Sequence, residues 1–296
     1  SGITAHPPAV RRPAVTFRAD INSLRAHAVL VVMLFHFGVP GFSGGFIGVD
    51  VFFVISGYLM TRIIIEGIDK LGGGGDWSWL FSFYLARAHR ILPALLVLCL
   101  ALLIIGWFTL PSTDFRQLGI HTIAALSFMS NIKFWREAGY FDAASHDKWL
   151  LHTWSLSVEW QFYMLFPILL MLLWRWLPGR RVVTVVLTIG FIVSLGLSIS
   201  LTSEHPSATF YLLPMRAWEL FAGGLVYLMA SHHRPSAGTT RLLEAAGFSL
   251  ILGSAVLFTA ETPWPGALAT IPVLGTVLVL IAARQTSVLT QPAALQ

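Results

Sequence analysis

Apolar residues in this chain fall into long blocks separated by short polar or turn-rich links. The blocks cover approximately residues 22–38, 46–66, 91–110, 117–133, 155–176, 182–202, 210–230, 242–260 and 266–283. A helix needs about 20 predominantly apolar residues to cross the hydrocarbon core of a bilayer. Most of these blocks reach that length, and the pattern predicts an all-α protein, a polytopic transmembrane helical bundle. The links carry turn signals: Gly72 to Gly75, Pro178-Gly179, Glu204-His205-Pro206 and the stretch from Glu261 to Gly266. No internal repeat and no soluble domain interrupts the series. The division expected is a disordered tail over 1–16, a transmembrane domain over 17–286 and a C-terminal tail or truncation point over 287–296.

The distribution of Lys and Arg sets the expected topology, because short cytoplasmic loops are enriched in them. Arg11, Arg12 and Arg18 place the N-terminus inside. Two crossings then deliver Arg62, Lys70, Arg87 and Arg90 to the same side, and the link Gly38 to Gly45 carries no charge. If all nine blocks crossed, Arg175, Arg180 and Arg181 would lie outside. The block 117–133 is the weakest, broken by His121 and Ser130-Asn131, so it is expected to re-enter without crossing, as backbone buried by protein can. About eight crossings plus one re-entrant segment then keep the basic links inside.

Composition supports the membrane reading and narrows the chemistry. Of the 296 residues, 56% are hydrophobic and 11% charged, and mean hydropathy is +0.74; soluble domains carry about 25% charged residues. A net charge of +5 is spread over the links as orientation signals, so no nucleic-acid partner is expected. Cys99 has no cysteine to pair with. A G-x-S-x-G elbow, a Walker loop and histidines at metal-ligand spacing are absent from the sequence, so no metal is expected.

Ionisable residues inside apolar blocks are functional candidates, because each costs several kcal/mol unless paired or hydrated. Arg25 and His36 are eleven residues apart, close to three helical turns, so they share one face about 16 Å apart along the axis. Asp50 opens the second block at the depth of His36, where it could orient the imidazole or simply favour a helix N-terminus. Arg87 and Arg90, three apart, suit phosphate recognition or anchoring at the cytoplasmic surface. His152, Ser155 and Glu159 fall on one helical side; Arg216 or His36 is the expected partner of Glu159. Arg216 and Glu219 can pair on one helix, and Gly223 and Gly224 permit close helix approach. Aromatics such as Trp135, Trp154, Trp160 and Trp218 could stack on sugars or mark the interface.

Five segments together resemble the membrane acyltransferase-3 family: FRADINSLRAHAVLVVMLFH, GGFIGVDVFFVISGYLM, Arg87-x-x-Arg90 followed by Ile91 and Pro93, HTWSLSVEWQFY, and RAWELFAGG. The resemblance spans about residues 17 to 230. It implies a ten-helix domain that takes acetyl-CoA from the cytoplasm and acetylates a cell-surface glycan, in the cytoplasmic (inner) membrane of a bacterium. By position it makes Arg25 and His36 the functional pair, Arg87 and Arg90 the arginine motif and Glu159 the family glutamate. The expected site therefore has His36, Arg25, Asp50 and Glu159 in catalysis, Arg25, Arg87 and Arg90 at the acyl-coenzyme A donor, and His152, Ser155, Arg216 and Glu219 at the acceptor. Membrane lipid, the glycan and the donor are the expected partners; oligomeric state is open. His36 serves either as general base or as transient acyl carrier. The family pattern I-S-Y-S-x-Y-L-x-H does not follow Arg284, so either a truncated sequence or an atypical C-terminus is expected. The rival reading is a transporter or flippase whose charges line a path without covalent chemistry.

Overall fold

The computed structural model describes residues 18–71, 76–138, 148–230 and 235–285. The expected tails 1–16 and 287–296, the glycine run and part of the link after residue 230 lie outside them. The described residues are helical, without strands: α1 Ala19–His36, α2 Gly48–Lys70, α3 Trp77–Thr109, α4 Ser112–Leu126, α5 Ser130–Glu137, α6 Thr153–Trp176, α7 Arg180–Leu201, α8 Pro206–Tyr211, α9 Leu213–Ala230, α10 Ala237–Leu257 and α11 Thr270–Ala282. Five of them (α2, α3, α6, α7 and α10) are long and apolar enough to cross a membrane by length and composition alone. α1 and α9, of 18 residues each, and the shorter α11, of 13, pack with them to complete the bundle.

Contacts between helix ends fix an up-and-down order. At one end the Ala19 amide donates to Gln285 Oε1 at 2.7 Å, Arg180 pairs with Asp69 at 2.8 Å, and Arg284 pairs with Glu244. At the other end the Gly44 amide donates to Ala255 O at 2.9 Å, and the Gly266 amide donates to Thr202 Oγ1 at 3.1 Å. Arg18, Lys70, Arg175, Arg180, Arg181 and Arg284 all stand at the first end, hereafter the basic end.

α2 and α9 run side by side through the centre. A Cβ on Gly57 would lie 1.8 Å from Leu220 O, and one on Gly223 would lie 1.9 Å from Val54 O. Only glycine allows backbones this close, the device by which membrane helices gain dispersion contact where water provides no drive. Around this crossing lie Val54, Ile55, Phe53, Leu220 and Trp218, all buried. α3 instead turns Val97, Leu100, Ile105, Trp107 and Phe108 outward, as a helix facing lipid must.

The block 117–133 breaks into α4 and α5 around Phe128, which has φ +55°. The hairpin enters from the far end and returns to it, as its hydrogen bonds show. Deep in the bundle, Gln161 donates to Asn131 Oδ1 at 2.8 Å and to Phe128 O at 3.0 Å, while Trp160 stacks on Phe128. Nearer the far end, Glu137 accepts from Gln117 at 2.6 Å and pairs with Lys133 at 3.0 Å. Cys99 is buried against this hairpin with Leu118 and Ala125. α3 starts earlier than its apolar block: at about 1.5 Å per residue its 33 residues span about 50 Å, more than a hydrocarbon core of about 30 Å. Its first turns, with Arg87 and Arg90, therefore stand toward the basic end.

Candidate active site

α1 carries the two residues that the sequence pairs by spacing. Its helix is continuous and contains no proline, so Arg25 and His36 stay on one face at a fixed separation. The His36 imidazole is exposed, with Nδ1 at 3.0 Å from Val32 O. A carbonyl only accepts, so Nδ1 carries the hydrogen and the neutral ring keeps its lone pair on Nε2. The His152 ring lies 4.5 Å away, edge-on. Partial burial, and then the neighbouring His36, hold the His152 imidazole below its ordinary value.

Toward the basic end, Arg25 meets residues from two other helices. It lies within electrostatic range of Glu159 and Tyr163 on α6 and of Arg90 on α3; Arg87 interacts with Arg90 and Tyr163. Arg25 and Arg90 thus lie near one carboxyl group, with Arg87 beside Arg90. Glu159 accepts from Ser56 Oγ of α2, and Tyr163 OH donates to Ser56 Oγ at 3.0 Å. Glu159 is half-buried and Arg90 exposed. The Arg87 Nε atom is buried without a hydrogen-bond partner among the described residues, and its guanidinium lies 5.9 Å from the Phe83 ring. Buried donors rarely stay unpaired without a ligand or water to receive them.

The sequence reading fails on two partnerships. Asp50 does not orient His36: it is fully buried and pairs with Arg216 at 3.2 Å. Arg216 is not the partner of Glu159 either, since it bridges Asp50 and, also at 3.2 Å, Glu219 on its own helix. The guanidinium is further held among the rings of Phe53, Trp154 and Phe210, 5.3, 5.7 and 5.9 Å from their centroids, where cation–π attraction adds to the ion pairs. With Arg216 1% exposed and both carboxylates at 0%, this cluster offers no surface to an acceptor.

The side shared by His152, Ser155 and Glu159 is also divided. His152 faces His36, Ser155 Oγ turns back to His152 O at 3.2 Å, and Glu159 points inward to Ser56. Sequence reasoning missed Ser56 and Tyr163. Tyr163 follows Glu159 by four residues, the helical neighbour spacing, and was legible on that ground; Ser56 reaches Glu159 only through tertiary packing.

The described residues thus form a polytopic helical bundle with an arginine-rich cluster between α1, α3 and α6. The family model described as "Acyltransferase domain" matches residues 18–290, so the chain belongs to the acyltransferase domain family, the one its motifs resemble. The peptidoglycan O-acetyltransferase OatA of Listeria monocytogenes is 29% identical over 285 residues, 92% of this chain and 45% of that protein. A Staphylococcus aureus protein provisionally named as O-acetyltransferase SAS0844 is 35% identical over 202 residues, 66% of this chain and 32% of that one. A Komagataeibacter xylinus protein provisionally named as membrane-bound transacylase BcsY is 32% identical over 268 residues, 89% and 64% of the two chains. The chain spans less than two thirds of the length of each of these relatives. No solved structure matches it.

Proposed function

We propose that this chain is the membrane part of an O-acyltransferase that moves an acetyl or short acyl group from cytoplasmic acyl-coenzyme A to a hydroxyl of a cell-envelope glycan. The basic end and the N-terminus face the cytoplasm of a bacterial inner membrane, following the positive-inside rule. One observation carries the reading: the guanidiniums of Arg25, Arg87 and Arg90 gather in one cluster, where Arg25 and Arg90 lie within electrostatic range of the Glu159 carboxyl group and Arg87 lies beside Arg90. Clustered like charges repel one another unless a ligand compensates them, and the phosphates of coenzyme A do so from the side on which the donor is made. Arginine forks also match phosphate geometry.

In this mechanism Arg87, Arg90 and Arg25 hold the phosphates toward the basic end, and the arm of coenzyme A spans the roughly 16 Å along α1 that brings the thioester to His36. His36 Nε2 takes the proton from the acceptor hydroxyl as the oxygen bonds to the acyl carbon. The carbon–sulfur bond then breaks, and the leaving thiolate takes up the proton from the imidazolium. Glu159, fixed by Ser56 and by the Tyr163 hydroxyl behind it, keeps Arg25 on its face of α1. Asp50, Arg216 and Glu219 hold α2 against α9, so the acceptor contacts come from elsewhere. The printed names of the relatives support O-acetyl transfer, and the Listeria name extends it to peptidoglycan as an acceptor class.

The test is acyl transfer in lipid vesicles with labelled acetyl-coenzyme A and candidate glycans. Removing a general base slows a reaction by about 10²–10⁴-fold, so His36→Ala should lose label transfer by that factor while the protein remains folded. Wild-type rates in His36→Ala would remove the histidine from the chemistry. Failure of the wild-type chain to consume acyl-coenzyme A with any acceptor would favour a transport function.

A further inference from the structure

Two clefts meet along α6. The larger, about 410 Å³, lies between α6 and α9 and is lined only by apolar side chains, among them Phe162, Leu165, Leu169 and Ala217. The rings of Phe162 and Phe166 stack at 4.5 Å and meet Phe221 of α9 at 5.8 and 6.3 Å, which joins the two helices at this groove. The smaller cleft, about 250 Å³, is lined by Trp77 of α3 and by Met171, Arg175 and Trp176 of α6. Ile168 and Leu172 line both, so the two form one continuous groove. The Tyr84 hydroxyl donates to Met164 O at 2.7 Å and pins the start of α3 beside α6; Trp77, two turns earlier on α3, reaches the last turn of α6 at the basic end.

Arginine in a last helical turn is ordinarily accounted for by the helix dipole, and tryptophan near it by interfacial anchoring. Arg175 has a further property. It is exposed, no acidic residue lines its cleft, and none of the ion pairs among the described residues includes it, whereas Arg180 has Asp69. The groove leading to it is apolar throughout, so an occupant must be hydrocarbon along most of its length and anionic at the basic end. Length chooses between a lipid and another helix. From Phe162 to Arg175 is about 20 Å at 1.5 Å per residue, the depth of one leaflet with its headgroup in a bilayer of ~40–45 Å; a spanning helix would need a groove of ~30 Å or more. A zwitterionic headgroup carries its own cation, which offsets the attraction of its phosphate to arginine. We propose that this groove binds one anionic phospholipid, with an acyl chain along Phe162, Leu165 and Leu169 and the phosphate at Arg175. The site is separate from acyl transfer and does not depend on that reading.

Native mass spectrometry of the full chain, released from detergent in the presence of equal amounts of phosphatidylglycerol and phosphatidylcholine with the same acyl chains, counts the lipids that each molecule retains. Wild type should keep one phosphatidylglycerol in preference. Arg175→Gln should cut that preference about fivefold, the worth of one arginine beside an anionic headgroup, and Arg175→Lys should keep most of it. Leu169→Trp fills the groove from an exposed position and should lower retention of both lipids. Arg241→Gln removes another exposed cation, in the first turns of α10 and outside the groove, and should leave the preference as it is. Equal losses in Arg175→Gln and Arg241→Gln would mean general attraction to a basic surface and would overturn the site. Absence of any preference in wild type, or unchanged lipid retention in Leu169→Trp, would overturn it as well.

Discussion

The bundle contains two clusters of charge, and they are built on opposite plans. Around Arg216, one cation faces two carboxyl groups inside a cage of three aromatic rings, with all three charged side chains nearly inaccessible. Around Glu159, Arg25 and Arg90 lie within electrostatic range of one partly accessible carboxyl group, and Arg87 stands beside Arg90. The first cluster has its counter-charges and seals them; the second has cations in excess and leaves them reachable. Intramembrane charge alone therefore does not identify a site. The balance of signs and the access of solvent separate a structural clasp from a place for an anion.

Breaking the clasp should have the largest effect on the fold. Arg216→Met strands Asp50 and Glu219, and removing one partner of a buried ion pair costs about 3–5 kcal/mol; thermal unfolding in detergent or a fall in folded yield would read it. Adding Asp50→Asn and Glu219→Gln should recover much of that loss, and no recovery would mean that Arg216 acts through its aromatic contacts rather than its charge. The open cluster should respond in the reverse way. Arg87→Gln should leave the unfolding midpoint nearly unchanged and raise KM for acyl-coenzyme A about tenfold to a hundredfold, the scale of one charge-assisted hydrogen bond at ~1.5–3 kcal/mol. A large stability loss with unchanged donor binding would make the two clusters alike. The smallest change marks the limit of the comparison: Asp69→Asn breaks the exposed pair with Arg180, and since surface pairs contribute about 0–1 kcal/mol, neither stability nor transfer should move measurably.

Much of the architecture was legible because the bilayer imposes a length and a periodicity that apolar blocks record directly. The re-entrant hairpin was readable from His121, Ser130 and Asn131, polar residues that interrupt one block. The start of α3 was hidden because the segment from Trp77 to Arg90 is helical yet mixed in polarity, which hydropathy does not distinguish from a link. Within the site, Arg25 and His36 were legible because both ride on one helix. The partners of Asp50, Glu159 and Arg216 were not, since Ser56 and Glu159 are 103 residues apart and a sequence cannot show which of several buried charges the packing brings together. Depth placed Asp50 level with His36; helix rotation turned it toward α9.

Of the three helices that carry the charged residues of the proposed reaction path, α1 alone has no internal proline. α3 has Pro93 three residues beyond Arg90, and α6 has Pro167 eight beyond Glu159; an internal proline removes a backbone hydrogen bond and loosens its helix there. α1 has no such joint, so it acts as a ruler with Arg25 and His36 as its two marks. Movement of the bundle can open or close the space beside that ruler, but it cannot change the distance between the marks. One residue inserted between them would turn His36 by about 100° and displace it by about 1.5 Å, leaving every side chain of the site in place and the two marks on different faces.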